Sequence, residues 1–298
     1  MPTGSGETEP KPQKVNDLVP RIVSAVVLAA GALGSAIVGG WIFAFVWSLM
    51  AILVFSEWFA MAGGQGEGAR QRKQWVAAVG IVFLALVAFL LSGILINHWG
   101  AGWLIPLTGG TVVAYAVLVW RAGVRHRRWQ AAGMFYAGGL LVSVLILRLS
   151  DTHGLVAILF LFAIVWGADV GAYFTGRALG GPKLAPRISP NKTWSGFAGG
   201  VVVGVLAGWL VIAVAGVPVV PGLIGVAVGI AVVSVAGDLF ESHMKRHFGV
   251  KDSGRLIPGH GGFMDRLDAF LFAAIFAVFV GVSRGGIRGA GAGLLSGW

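Results

Sequence analysis

The stretch from Gly154 to Gly176 reads GLVAILFLFAIVWGADVGAYFTG, and Asp169 is its only charged side chain. A run of about 20 mainly apolar residues is long enough to cross the roughly 30 Å hydrocarbon layer of a bilayer as a helix. The rest of the chain is similar, because 57% of its 298 residues are hydrophobic and 11% are charged. Soluble domains carry about 25% charged residues. Together with a mean hydropathy of +0.85, these values indicate an integral membrane protein.

Apolar runs of this length recur and predict an all-α fold, a polytopic membrane helix bundle of about nine transmembrane helices with short cytoplasmic loops. Glycine, with 48 residues, fits this class because it lets membrane helices approach closely. Gly196, Gly200, Gly204 and Gly208 share one helix face and predict such a contact. The expected spans are residues 22–39, 41–62, 75–96, 101–120, 132–149, 154–176, 195–215, 219–241 and 267–283.

The positions of Lys and Arg predict the orientation of these helices. With the N-terminus in the cytoplasm, the predicted loops place 19 of the 22 basic residues on the cytoplasmic side, in agreement with the positive-inside rule. Arg148, Arg284 and Arg288 are the exceptions, and an eight-span alternative would bring the last two inside. The basic residues behind the net charge of +10 would then face anionic membrane lipids or phosphorylated substrates, so nucleic acid is not expected as a partner.

Charged residues within spans are candidates for function, because each costs about 2.5–3.5 kcal/mol at the centre of a bilayer. Glu57 lies near the inner end of the second span, where we expect its carboxylate to reach the headgroups. Asp169, Tyr173 and Arg177 follow one another at intervals of one turn and therefore share a helix face. The structural alternative is a self-contained Asp169–Arg177 pair.

The next loop, GGPKLAPRISPNKTWSG, combines three prolines with basic and hydroxyl side chains. Prolines restrict the backbone, and such side chains bind phosphate oxygens. An ordinary positive-inside loop is the alternative. The candidate phosphate ligands are Lys183, Arg187, Ser189 and Lys192.

A second charged cluster surrounds the turn between the last two predicted spans. Asp238, Glu241, Ser242 and Lys245 fall at i, i+3, i+4 and i+7 and form one helical stripe. A loop rich in glycine and basic residues follows, with His260 between glycine pairs, and Asp265 and Asp268 then begin the next helix. Carboxylates beside cationic side chains suit a Mg²⁺-assisted reaction on a polyphosphate. An interhelical salt-bridge cluster would explain only part of this pattern.

Other common sites are absent from the sequence. The lack of cysteine excludes disulfides, thiolate metal sites and cysteine nucleophiles. The chain contains neither a GxxxxGK[ST] phosphate loop nor an HExxH motif, and the glycine-rich RGGIRGAGAG near its end follows no strand.

These residues resemble the phosphatidate cytidylyltransferases, also called CDP-diacylglycerol synthases. The similarity covers about residues 166–268, including DVGAYFTGR and KLAPRISPNKTWSG, although Ser195 stands where the family commonly has a glutamate. The family signature has the form S-x-x-K-R-x4-K-D-x5-P-x-H-G-G-x-x-D-R-x-D. It is matched by Ser242, Lys245, Arg246, Lys251, Asp252, Pro258, His260, Gly261, Gly262, Asp265, Arg266 and Asp268.

The resemblance implies an enzyme that transfers CMP from CTP to phosphatidate and releases pyrophosphate. Both substrates are anionic, so Mg²⁺ and basic side chains would offset their repulsion. The family is also described as using a second, monovalent cation such as K⁺. CTP, phosphatidate and membrane lipids are the expected partners, and a homodimer is a further option.

The expected site contains metal ligands and substrate-binding residues. Asp238 and Asp265 are the first candidates for Mg²⁺, with Asp268 and Asp169 in reserve. His260 is expected to bind phosphate or to position the attacking group. The side chains assigned to substrate binding are Lys245, Ser189, Lys192, Ser242, Arg246, Lys251 and Arg266.

The expected organisation places the active site on the cytoplasmic side of the plasma (cytoplasmic) membrane. A channel or transporter is the main rival, and it would spread acidic residues through the depth of the bilayer. A CDP-alcohol phosphatidyltransferase lacks support because its motif is missing, whereas a cytidylyltransferase for another lipid phosphate remains open. The expected parts are a disordered cytoplasmic tail (1–17), N-terminal transmembrane helices (18–150), a catalytic transmembrane region (151–285) and a C-terminal tail (286–298).

Overall fold

The computed structural model describes residues 18–62, 70–97, 104–121, 127–218, 220–254, 256–257 and 261–296. Within these ranges the chain forms ten helices and two short strands. In chain order they are α1 (Leu18–Val38), α2 (Gly40–Ala62), α3 (Arg70–Asn97), α4 (Leu104–Arg121), α5 (Arg127–Arg148), α6 (Gly154–Leu179), β1 (Lys183–Ala185), β2 (Ser189–Thr193), α7 (Trp194–Val214), α8 (Pro221–His247), α9 (Met264–Gly285) and α10 (Ala290–Leu295).

Seven helices in the described part of the chain are long and apolar enough to cross a membrane, namely α2, α3 and α5 to α9. The prediction of a helical membrane bundle is therefore confirmed, whereas the count of about nine spans is not. The apolar part of α1, Ile22–Val38, is shorter than these seven spans. The expected fourth span corresponds to α4, which is described only from Leu104 onward.

The packing of α6 against α7 confirms the prediction made from the glycine stripe of α7. All four glycines of the stripe are buried. A methyl group at Gly200 would lie 2.7 Å from the carbonyl oxygen of Ala168, and one at Gly204 would lie 2.7 Å from that of Ile164. The two backbones thus touch without intervening side chains, and this contact fixes the segment of α6 that carries Asp169.

The segment between α6 and α7 forms a β-hairpin, whereas its sequence pattern predicts only a loop. Strand β1 pairs antiparallel with β2, and Ala185 lies opposite Ser189. Pro186 follows Ala185 in the reversal, where its fixed φ favours a turn. At the end of β2, the Thr193 hydroxyl accepts a hydrogen bond from the Gly196 N–H at 3.1 Å and caps α7. The hairpin is therefore joined rigidly to the start of α7.

The three arginines that depart from the positive-inside rule bind backbone carbonyls at the end of the bundle where α1, α3, α5 and α9 finish. Arg148 donates from Nε to the carbonyl of Ala36 in the last turn of α1, at 2.5 Å. Arg288 donates to the carbonyl of Ile94 near the end of α3, at 3.0 Å. Arg284 donates to a carbonyl in α10 at 2.9 Å. Cations at helix C-termini satisfy free carbonyls and the helix dipole, which explains these positions without a cytoplasmic loop.

The expected C-terminal tail contains helix α10, which packs into the bundle. Ala290, Leu294 and Leu295 are fully buried. The backbone of α10 approaches α9 so closely that a methyl group at Gly281 would lie 2.3 Å from the carbonyl oxygen of Ala290. Residues 290–295 thus belong to the folded core at this end.

We predict that Gly204→Ala lowers the free energy of unfolding by about 1–3 kcal/mol, because the added methyl group overpacks the α6–α7 contact. Thermal unfolding of the purified protein in detergent measures the effect. Gly225→Ala in α8 is the matched control, since a methyl group there meets nothing within 4 Å. Equal shifts in the melting temperature for both variants would contradict the proposed close contact.

Candidate active site

The acidic stripe of α8 and the acidic start of α9 face a common cavity of about 570 Å³. Because α8 is continuous through His247, the predicted alignment of the stripe is confirmed. Asp169 of α6 lines the same cavity. Its charged lining consists of Asp169, Asp238, Glu241, Lys245, Asp252, Asp265, Arg266 and Asp268.

Lys245 joins α8 to α9. Its Nζ lies 2.6 Å from Oε2 of Glu241 and 2.7 Å from Oδ1 of Asp265. The Glu241 side chain is 1% exposed and that of Lys245 is 16% exposed. Since a buried charge without a partner is costly, this triad holds the two helix ends together.

Asp265 also organises the loop that precedes α9. Its carboxylate accepts hydrogen bonds from the backbone N–H of Ser253, at 3.1 Å to Oδ2, and from that of Gly262, at 2.9 Å. The loop closes on itself where the N–H of Ile257 donates to the carbonyl of Gly261 at 2.9 Å. Both oxygens of Asp265 are therefore engaged, which favours an anchoring role for a residue expected to bind Mg²⁺.

Asp238 forms an ion pair with Lys192 of β2. The hydroxyl of Ser242 lies 3.4 Å from Oδ1 of the same carboxylate. The hairpin and the stripe of α8 are separate candidate sites in the sequence. In the structure they meet at Asp238. Asp238 and Asp265 line one cavity, but each is paired with a different lysine.

A second cavity of about 690 Å³ lies between α6, the hairpin, α7 and α8. Asp169 and Asp238 line both cavities, so they stand at the boundary between the two. Arg177 donates to the Tyr173 hydroxyl at 2.9 Å, and it forms no ion pair with Asp169 within the described residues. The polar part of the lining is Asp169, Tyr173, Arg177, Asn191, Lys192, Thr193, Ser234 and Asp238.

Several predicted binding residues lie away from these linings. Arg246 and Lys251 are exposed, and Ser189 is half-buried at the start of β2. Arg266 is exposed and contributes to the first cavity. His260 lies outside the described residues.

The carboxylates have the right chemistry for a hard cation, although no three His, Asp or Glu residues in the described ranges are close enough to hold a metal by themselves. Asp169, Asp238 and Asp268 nevertheless line the same cavity. Oε1 of Glu241 is buried and has no hydrogen-bond partner among the described residues. Magnesium is commonly held by one or two carboxylates and completed by water and phosphate oxygens, so this donor set fits it.

The expectation that Glu57 reaches the headgroups is wrong. Glu57 is 4% exposed and accepts hydrogen bonds from the N–H groups of Phe263 and Met264, at 3.0 and 2.8 Å. One signal was present in the sequence: the start of α9 carries no Ser, Thr, Asp or Asn at its N-cap, so its first N–H groups require a partner from elsewhere.

An apolar helix bundle with basic and acidic side chains gathered around cavities at one end is typical of a membrane enzyme acting on a polyanionic substrate. The chain belongs to the cytidylyltransferase family, whose model matches residues 19–283, and it is therefore a nucleotidyltransferase.

Three relatives are each named phosphatidate cytidylyltransferase. The one from Brucella suis is 42% identical over 274 residues, covering 88% of this chain and 96% of the relative. The one from Synechocystis is 35% identical, covering 85% and 93%. The one from Pseudomonas aeruginosa is also 35% identical, covering 86% and 93%.

We predict that Lys245→Met lowers the free energy of unfolding by about 3–5 kcal/mol, because it leaves two buried carboxylates without their cation. Lys192→Met is the matched control. Its ion pair with Asp238 is partly exposed, so its loss should cost no more than about 1 kcal/mol. Unfolding of both variants in detergent checks the difference, and equal losses would contradict the bridging role of Lys245.

Proposed function

We propose that the protein transfers CMP from CTP to phosphatidate, releasing pyrophosphate and forming CDP-diacylglycerol for phospholipid synthesis. The observation that carries the proposal is the pair of adjoining cavities that share Asp169 and Asp238. One is apolar along much of its wall and charged at its end, and the other is mainly polar on the hairpin side. The names of the three relatives support the same activity.

The first cavity suits phosphatidate. Its apolar wall is formed by α1, α2 and α6, including Leu28, Trp47 and Phe162. Acyl chains bind to such a wall through the hydrophobic effect. The lipid phosphate would then lie at the charged end, within reach of Lys245 and Arg266.

The second cavity suits the nucleotide. Lys192 and Arg177 provide cationic groups for phosphate oxygens, and Asn191 and Thr193 provide polar ones. Phe197 and Tyr173 belong to the same lining and offer aromatic surface for the base. With the triphosphate here and the lipid phosphate in the neighbouring cavity, the α-phosphorus would lie near the shared residues.

The reaction is an in-line displacement. A phosphatidate oxygen attacks the α-phosphorus of CTP, the new O–P bond forms, and the bond to the bridging oxygen breaks as pyrophosphate leaves. Lys192, Lys245 and Arg266 would offset the repulsion between the two anions and stabilise the leaving group. The lipid phosphate is already ionised near neutral pH, so no strong general base is required.

Magnesium is part of this proposal. One or two of the carboxylates of Asp169, Asp238 and Asp268 would hold it together with phosphate oxygens, and when bound it supplies further neutralisation of phosphate charge. Asp265 would act beside them through the loop and Lys245. A second monovalent cation such as K⁺, a role for His260, and phosphate contacts from Ser189, Arg246 and Lys251 stay predictions, as does a homodimer.

The orientation is also proposed. CTP is a soluble cytoplasmic nucleotide, so the end of the bundle that carries the cavities would face the cytoplasm, in the plasma (cytoplasmic) membrane. The acidic residues gather at that end instead of lining a path through the bilayer, which argues against a transporter.

We predict that the purified protein in detergent, given CTP, Mg²⁺ and phosphatidate, forms CDP-lipid and pyrophosphate in equal amounts. Chromatography of the lipid and a coupled pyrophosphate assay measure the two products. A parallel reaction with an ether-lipid phosphate tests the other acceptor class. If no phosphatidate yields product, the proposed function is wrong.

We predict that Asp265→Asn reduces turnover by about 100-fold or more while the protein remains folded, because the neutral amide loses the charge partner of Lys245 and displaces the loop. The assay uses monodisperse protein and reports turnover per folded molecule. Asp151→Asn is an isosteric control at the far end of the bundle, where the side chain is exposed, and it should leave turnover unchanged. Near-normal turnover of Asp265→Asn would remove this residue from the site.

A further inference from the structure

Glu57 connects α2 to the loop and helix that carry Asp265 and Asp268. Its Oε1 accepts a hydrogen bond from the N–H of Phe263 at 3.0 Å. Its Oε2 accepts from the N–H of Met264 at 2.8 Å and from the hydroxyl of Ser253 at 3.1 Å. About two hundred residues separate the partners in the chain, and all three contacts converge on one buried carboxylate.

The charge of this carboxylate is stabilised by a helix start. Phe263 is the N-cap of α9 and has no side-chain cap of its own. The first N–H groups of a helix have no partner within it and form the positive end of the helix dipole. Within the described residues no Lys, Arg or His pairs with Glu57, so the start of α9 supplies the compensating positive potential.

Two glycines allow the loop to surround Glu57. A methyl group at Gly254 would lie 2.5 Å from Oε1, and one at Gly262 would lie 2.4 Å from Oε2. At Gly262 the methyl group would also lie 2.2 Å from the Ser253 hydroxyl oxygen. A side chain at either position would force the Glu57 carboxylate or the loop to move, so glycine permits the close approach of the loop to Glu57. The loop is thus shaped around the carboxylate.

The residues beside Glu57 anchor it from the other direction. Trp58 donates from its indole N–H to the carbonyl of Trp129 in α5 at 2.7 Å. Gln130 of α5 donates to the carbonyl of Phe59 at 3.3 Å. The turn of α2 that directly follows Glu57 is therefore fixed to α5 by two hydrogen bonds.

We propose that Glu57 is a positioning residue for cytidylyl transfer. It fixes the start of α9, and with it Asp268, by binding the two N–H groups. It also fixes Ser253, whose own N–H binds Asp265, the partner of Lys245. This inference rests on the proposed function, and Glu57 itself lines neither of the two cavities.

The test compares Glu57→Gln with the unaltered protein. The amide keeps the size of the side chain but removes its charge and turns one acceptor into a donor that faces a donor. We expect kcat per folded molecule to fall by about 10- to 100-fold, as expected for a small displacement of reacting groups. KM for CTP and phosphatidate should change little, and hydrogen exchange at the amides of Phe263 and Met264 should become faster.

Two further variants separate positioning from general stability. Ser150→Ala removes the hydrogen bonds of Ser150 with the Arg288 carbonyl and the Gly291 N–H at the far end of the bundle; it should lower the melting temperature and leave kcat per folded molecule unchanged. Gly254→Ala pushes on Oε1 from the loop side with Glu57 intact. It should reproduce the loss in kcat even if Glu57→Gln does not fold.

Unchanged kcat in Glu57→Gln, or an equal loss in Ser150→Ala, would overturn the inference. An unaltered protein without activity would instead overturn the proposed function. In that case hydrogen exchange still tests whether Glu57 fixes the start of α9. Unchanged exchange at the amides of Phe263 and Met264 in Glu57→Gln would refute this.

Discussion

A charge placed among apolar helices must meet an opposite charge or hydrogen-bond donors, and the catalytic end of this bundle is built around that requirement. Lys245 satisfies it for Glu241 and Asp265 and thereby connects α8 with α9. Glu57 satisfies it with the first N–H groups of α9. Because Asp265 and Glu57 both bind groups of the same loop, the position of the site follows from how these charges are neutralised.

The two cavities share two acidic side chains. Asp169 and Asp238 come from α6 and α8, and both line the cavity next to α1 and α2 as well as the cavity next to the hairpin. Lys192 reaches Asp238 from the hairpin, so a basic residue of the second cavity is already in contact with an acid shared by both. In the proposed reaction, this arrangement would let a lipid and a soluble nucleotide meet at the shared carboxylates from two different cavities.

Patterns of short range in the sequence predict much of this structure. The stripe of α8 and the glycine face of α7 depend on helical periodicity alone, and both are found as expected. The contacts of Glu57 could not be predicted in this way, because its partners lie some two hundred residues away and two of them are backbone groups. Arg148 departs from the positive-inside pattern for a similar reason: its acceptor is a carbonyl of α1, which no side-chain motif reveals.

The contact between Glu57 and the loop also bears on how such chains can recombine. It joins the N-terminal helices to the region that carries the motifs, across the boundary near residue 150 that motif distribution suggests. The Glu57 carboxylate and the glycines at 254 and 262 are in close contact, because a methyl group at either glycine would lie 2.4 or 2.5 Å from a carboxylate oxygen. A chimera that takes its first half from one relative and its second half from another must therefore preserve this contact. The glutamate in one half and the glycines in the other have to be exchanged together.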